Sequence, residues 1–157
     1  MKRSEKYPET DSFRYYNANP KGKHTCDCVI RALSVGLDKE YSEVVMDLAK
    51  LQIQTGFDDG DIKLYGKYLE NNGWIKHKQP RKDDNTKYTG KHWCRYLSIN
   101  DKNGNIGSII ANIGGHHVVC IKPTNSGDGF NCRYKVLDTW DSSDGCIGIY
   151  WTKGERV

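Results

Sequence analysis

Around Gly104 the spacing of apolar residues changes, and that change constrains the fold more than any other feature of the chain. Before it, apolar residues recur at three- and four-residue intervals, the period of a helix buried along one face. After it they come in short β-branched runs broken by Gly, Asn, Ser and Asp. Val29, Ala32, Leu33 and Gly36 follow the helical spacing behind Cys28, with Thr25 or Asp27 placed to cap the helix and Gly36 placed to end it. A second stripe, Tyr41, Val44, Val45, Leu48 and Leu51, stops at Thr55-Gly56, and a third runs from Asp61 to Asn72-Gly73. Residues 1–24 read as an irregular polar segment with a turn at Pro20 and Gly22. Residues 76–92, charged and containing Pro80, read as an exposed connection, after which Trp93, Tyr96 and Leu97 tuck a short helical turn onto the core.

Runs at 106–113, 116–122, 133–138 and 146–151 read as strands, and the turn-length gaps between them predict antiparallel pairing. Helices over 25–73 followed by strands over 104–151 predict an α+β fold in one domain spanning 1–157, with N-terminal helices packed on a C-terminal antiparallel β-sheet. A chain of 157 residues with 28% charged and 36% hydrophobic residues is long enough to bury a core and too polar for a membrane protein. No apolar segment follows Met1-Lys2-Arg3-Ser4-Glu5-Lys6, so no ordinary signal peptide is expected. The six cysteines (26, 28, 94, 120, 132 and 146) are then expected as reduced thiols in a cytoplasm. The net charge of +4 is spread along the chain and makes no case for nucleic acid as a partner.

The chemistry centres on His24-Thr-Cys26-Asp27-Cys28-Val-Ile-Arg31. A cysteine at a helix N-terminus meets free backbone N–H groups and the positive end of the peptide dipoles, which favour the reactive thiolate. Thiol hydrolases also need an imidazole within reach of the sulfur and a third group that orients it. Gly114-Gly115-His116-His117-Val118-Val119 supplies an imidazole where an apolar strand begins, and two histidines that point to opposite faces, so only one can meet the sulfur. Leu137-Asp138-Thr139-Trp140-Asp141 supplies the orienter at the end of the next strand, Asp138 with Asp141 as its rival. Antiparallel neighbours bring the start of one strand beside the end of the next, so a His–Asp pair is geometrically easy here. Trp140 either walls such a site or belongs to the core, and Arg31 reads as a salt-bridging or packing residue.

These three motifs, in this order, resemble the papain-like cysteine peptidases, and most of all a compact phage and bacterial branch similar to the peptidases that trim bacteriocin leaders. The resemblance spans roughly residues 17–151 in architecture but only a small set of motif residues. It implies a peptidase or other amide-bond hydrolase with Cys28 as nucleophile, His117 as general base and acid, and Asp138 as orienter. It implies a peptide or protein substrate and no cofactor. One departure stands out: the Gln that such families place before the cysteine as oxyanion donor is missing from Pro20 to Thr25. Asn19 or Asn17, with the Cys28 backbone N–H, are the substitutes on offer. Without that donor, the same scaffold also suits a catalytically weak or inactive interaction module, for example a phage-encoded protein that binds a host target. Zinc on His24, Cys26, Cys28 and His116, His117 or Cys120 is disfavoured, because Cys-x-Cys is tighter than the usual knuckle spacing and no second knuckle follows. Gly114-Gly115 lies between strands and reads as a turn, not as a phosphate loop.

Overall fold

The computed structural model describes residues 1–125 and 132–154, so most of the gap expected as a turn between the runs at 116–122 and 133–138 lies outside the described residues. The described residues form five helices and six strands, in chain order α1 (Arg3–Lys6), β1 (Phe13–Tyr15), α2 (Cys28–Leu37), α3 (Tyr41–Thr55), α4 (Ile62–Asn71), β2 (Ile75–His77), α5 (Gly90–Asn100), β3 (Ile109–Ile113), β4 (His117–Pro123), β5 (Tyr134–Asp138) and β6 (Ile147–Thr152). The fold is α+β, built on one sheet in the order β1-β5-β4-β3-β6-β2.

The helical stripes appear close to where the spacing puts them. Asp61 caps α4 by accepting the Lys63 N–H at 2.9 Å, and Gly56 ends α3 in the left-handed conformation at φ +73°. Gly36 does not end α2. The helix runs on to Leu37 and closes through Asp38 at φ +53°, while Gly36 lets the helix lie against the Ile110 side chain of β3.

The expected all-antiparallel sheet is corrected to a mixed one. The four central strands pair antiparallel, but β1 pairs parallel with β5 in the register Phe13↔Val136 and Tyr15↔Asp138, and β2 adds the opposite edge against β6. The segment 1–24 is therefore not wholly irregular, and 76–92 is more than a connection. The short helical turn expected at Trp93 is a full helix, α5, capped by Thr89, whose hydroxyl accepts the His92 N–H at 3.2 Å.

Helices cover both faces of the sheet. On one face Leu33, Val44, Leu48, Leu64, Leu69 and Trp151 pack with Ile110, Val118 and Cys120 beneath α2, α3 and α4. On the other, Trp93 and Leu97 of α5 pack with Ile109, Ala111, Ile113, Val119 and Ile121. The alternating residues of β3 and β4 thus feed two separate cores, which is why these strands read as continuous apolar runs. Among the described residues no helix is long and apolar enough to cross a membrane.

Candidate active site

Cys28 is the first residue of α2, where backbone N–H groups have no helical acceptor. Asp27 precedes it at the N-cap position but makes no side-chain cap bond. Its carboxylate turns inward to Arg31 one helical turn later, Nε to Oδ1 at 2.8 Å. Tyr41 Oη donates to Asp27 Oδ2 at 2.7 Å, and Asn19 Nδ2 donates to the same oxygen at 3.1 Å.

His117 opens β4 and Asp138 closes β5, the next strand in the sheet. His117 Nε2 lies 2.6 Å from Asp138 Oδ2. Cys28 lies beside this pair, close enough that the His117 ring and the Val118 backbone N–H both act to lower the pKa of its sulfur. Asp138 is held on every side. Ser142 Oγ donates to Oδ2 at 2.7 Å, its neighbour's Thr139 N–H donates to Oδ1 at 2.7 Å, and Arg31 Nη1 donates to Oδ1 at 3.0 Å. The Trp140 ring sits 5.2 Å from the His117 ring, centroid to centroid, and is 37% exposed, so it walls the site instead of filling the core.

The electrostatics follow from this geometry. Burial alone raises the Cys28 pKa, but the His117 bond, the Val118 N–H and the Arg31 charge outweigh it and hold the thiol below its ordinary value. Burial disfavours the imidazolium of His117, yet the bonds to Asp138 and Cys28 outweigh it and raise that group to about 9. Burial also works against Asp138, and its bonds to His117, Ser142 and Thr139 hold it below the usual carboxylate range. The environment therefore favours a thiolate–imidazolium pair. Cys94, Cys120 and Cys132 show the opposite case: burial pushes all three thiols up, Cys120 to about 12. All six cysteines are free thiols.

Of the residues singled out in the sequence, Cys28, His117 and Asp138 are brought together. His117, not His116, bonds Asp138, and His116 lines the cleft beside Cys28. Asp141 accepts the Ser143 N–H and hydroxyl and does not meet His117. Cys26 is exposed at the cleft mouth. Neither Asn17 nor Asn19 lines that cleft: Asn19 is turned onto Asp27, and Asn17 Nδ2 donates to the Lys23 carbonyl at 3.1 Å. The side-chain amide in the cleft is Asn112 of β3, which lines it together with Tyr65. Comparison with known protein families, with curated proteins and with solved structures found no match to this chain.

Proposed function

We propose that the chain is a thiol hydrolase of amide bonds, built on a papain-like core, with Cys28 as nucleophile, His117 as general base and acid, and Asp138 as orienter. The observation that carries this reading is the His117–Asp138 pair, Nε2 at 2.6 Å from the carboxylate, beside a Cys28 thiol whose pKa His117 helps to lower. In the reaction, the Cys28 thiolate attacks the carbonyl carbon and a C–S bond forms. The His117 imidazolium passes its proton to the departing amine nitrogen as the C–N bond breaks, leaving a thioester. His117, now neutral, takes a proton from water, which attacks the thioester and releases the acid and the thiolate. The Cys28 N–H at the helix start and the Asn112 amide are the donors available to the oxyanion. The substrate is a peptide or protein, and no cofactor enters the chemistry.

Iodoacetamide labelling tests this directly. Cys28 is expected to react ahead of the other five thiols at neutral pH, and His117→Ala is expected to slow it by an order of magnitude or more. Uniform labelling of the exposed thiols, or indifference to the His117 change, removes the triad. A second reading, an interaction module without turnover, draws on the placement of Asn17 and Asn19 away from the cleft. It expects a reactive Cys28 but no cleavage of any peptide by the wild type or by Cys28→Ser.

A further inference from the structure

Two clefts adjoin at His116, one bordered by Cys28 and the other by His117. The first, about 430 Å³, is lined by Cys28, Asp59, Ile62, Tyr65 and Asn112 among others, and the second, about 350 Å³, by His117, Trp140, Asp141 and Asp144 among others. His116 borders both. Reaction chemistry assigns an end of the substrate to each. The leaving amine must lie where His117 can protonate it, on the Trp140 side, and the acyl part lies over the Cys28 N–H, in the first cleft. A substrate that fills both clefts continues on either side of the bond that breaks, which describes a polypeptide cut internally.

The charge lining these clefts runs against the charge of the whole protein. The chain carries 24 Lys and Arg against 20 Asp and Glu. Yet among the described residues neither cleft is lined by a Lys or an Arg, whereas Asp27, Asp59, Asp141 and Asp144 line them. Two of these are compensated by cations, Asp27 by Arg31 at 2.8 Å and Asp144 by Lys91 at 3.2 Å. Asp141 accepts from the neutral N–H and hydroxyl of Ser143 and has no cation in ion-pair range among the described residues. Asp59 is exposed at the first cleft. Two grooves elsewhere on the surface, by contrast, carry both signs of charge, Lys39 with Lys122 or Lys153 beside Asp38. Beside Asp59 the first cleft presents Val29, Ile62 and Tyr65. An apolar wall with a carboxylate at its rim matches a side chain that has an apolar stem and a cationic tip.

Building on the reading of Cys28 as nucleophile, we propose that the substrate is a polypeptide with Lys or Arg on the acyl side of the scissile bond, its stem on Val29, Ile62 and Tyr65 and its cation against Asp59. Peptidyl chloromethyl ketones that differ only in carrying Lys, Leu or Glu next to the ketone test this, because the thiolate displaces chloride and marks Cys28 without turnover. The Lys probe is expected to modify Cys28 on the order of tenfold faster than the Glu probe, the lower end of what a cleft of one charge sign achieves. The gap is expected to shrink as salt is raised and to vanish or invert in Asp59→Lys. Iodoacetamide, small and neutral, is run in parallel. If it marks Cys28 selectively while the Lys and Glu probes react equally, the basic-substrate proposal is overturned and the nucleophile stands. If Cys28 behaves as an ordinary thiol toward iodoacetamide, the reading beneath the proposal fails and takes the proposal with it. A Lys preference unchanged in Asp59→Lys overturns the assignment of Asp59.

Discussion

Replacing Arg31 with Met tests the electrostatics of the site most severely. One guanidinium serves two carboxylates, at 2.8 Å to Asp27 and 3.0 Å to Asp138, and the three groups are only 7%, 6% and 1% exposed. Methionine replaces much of the arginine stem but leaves both carboxylates in the core without their shared cation. Asp27 keeps only the neutral donors Tyr41 and Asn19. Removing one partner of a buried ion pair costs about 3–5 kcal/mol, and at about 2–4 °C per kcal/mol for a chain of this size the thermal midpoint is expected to fall by about 10 °C. Because the penalty is one of charge, it has a pH signature. Burial pushes both carboxyls up, but in the wild type the bonds from Tyr41, Arg31 and Asn19 to Asp27, and from His117, Ser142 and Thr139 to Asp138, hold both below the usual carboxylate range. A folded pKa below the unfolded one contributes stability that is present above the unfolded value, near 4, and lost as pH falls through the folded value. Arg31→Met raises the folded values, so its unfolding free energy is expected to converge on that of the wild type as pH drops from 7 toward 4. Urea unfolding across that range measures both quantities. A loss under about 1 kcal/mol at pH 7, or a gap that fails to narrow in acid, refutes the account of Arg31 as a bridge between two buried charges.

Asp138→Asn removes the charge that favours the His117 imidazolium, so His117 is expected to fall from about 9 toward its ordinary value and the Cys28 pKa to rise. The pH profile of Cys28 alkylation then moves to higher pH, about tenfold in rate at pH 6.5 for each unit of movement; an unmoved profile rejects the assignment. Trp140→Ala opens the His117 ring to water and is expected to slow alkylation by roughly twofold to tenfold, the equivalent of one aromatic pair of about 0.5–1.5 kcal/mol. Asn112→Ala is expected to lower peptide turnover by about 100-fold with a much smaller effect on iodoacetamide labelling, and equal losses in both assays argue against an oxyanion role. Gly36→Ala sets a Cβ 2.5 Å from Ile110 Cδ1 in a fully buried position, so despite better helix propensity it is expected to destabilise by about 1 kcal/mol in chemical denaturation.

The helices α2, α3 and α4 and the four central strands were legible because each buries a face long enough to impose a period on the residues. The edge strands β1 and β2 were not, because three residues such as Phe13–Tyr15 or Ile75–His77 hold too little alternation, and their pairing is decided by partners far along the chain. The direction of β1 had no local sign at all. Within the candidate site, the cysteine, imidazole and carboxylate could be picked out by type and order. Arg31 could be read as salt-bridging from its four-residue spacing to Asp27, but not as the link to Asp138, which lies 107 positions away. Asn112 was hidden among apolar neighbours in Ile109–Ile113, where a polar residue in a buried strand was the available signal.

The parallel strand β1 has a consequence for when the sulfur becomes reactive. The N-terminal segment holds the far end of the chain at the site itself: the Tyr16 N–H donates to the Asp138 carbonyl at 2.9 Å, Arg3 Nε donates to the Thr139 carbonyl at 2.6 Å, and the Val136 N–H donates to the Ser12 carbonyl at 2.8 Å. In a chain made from its N-terminus, Cys28 emerges early, while β4 and β5, which carry its partners, emerge late. Until β5 docks beside β1, Cys28 lacks the His117–Asp138 pair and is an ordinary thiol. If Cys28 is the nucleophile proposed above, closure of the first strand on one of the last is the event that arms it, and an unfinished chain carries none of its reactivity.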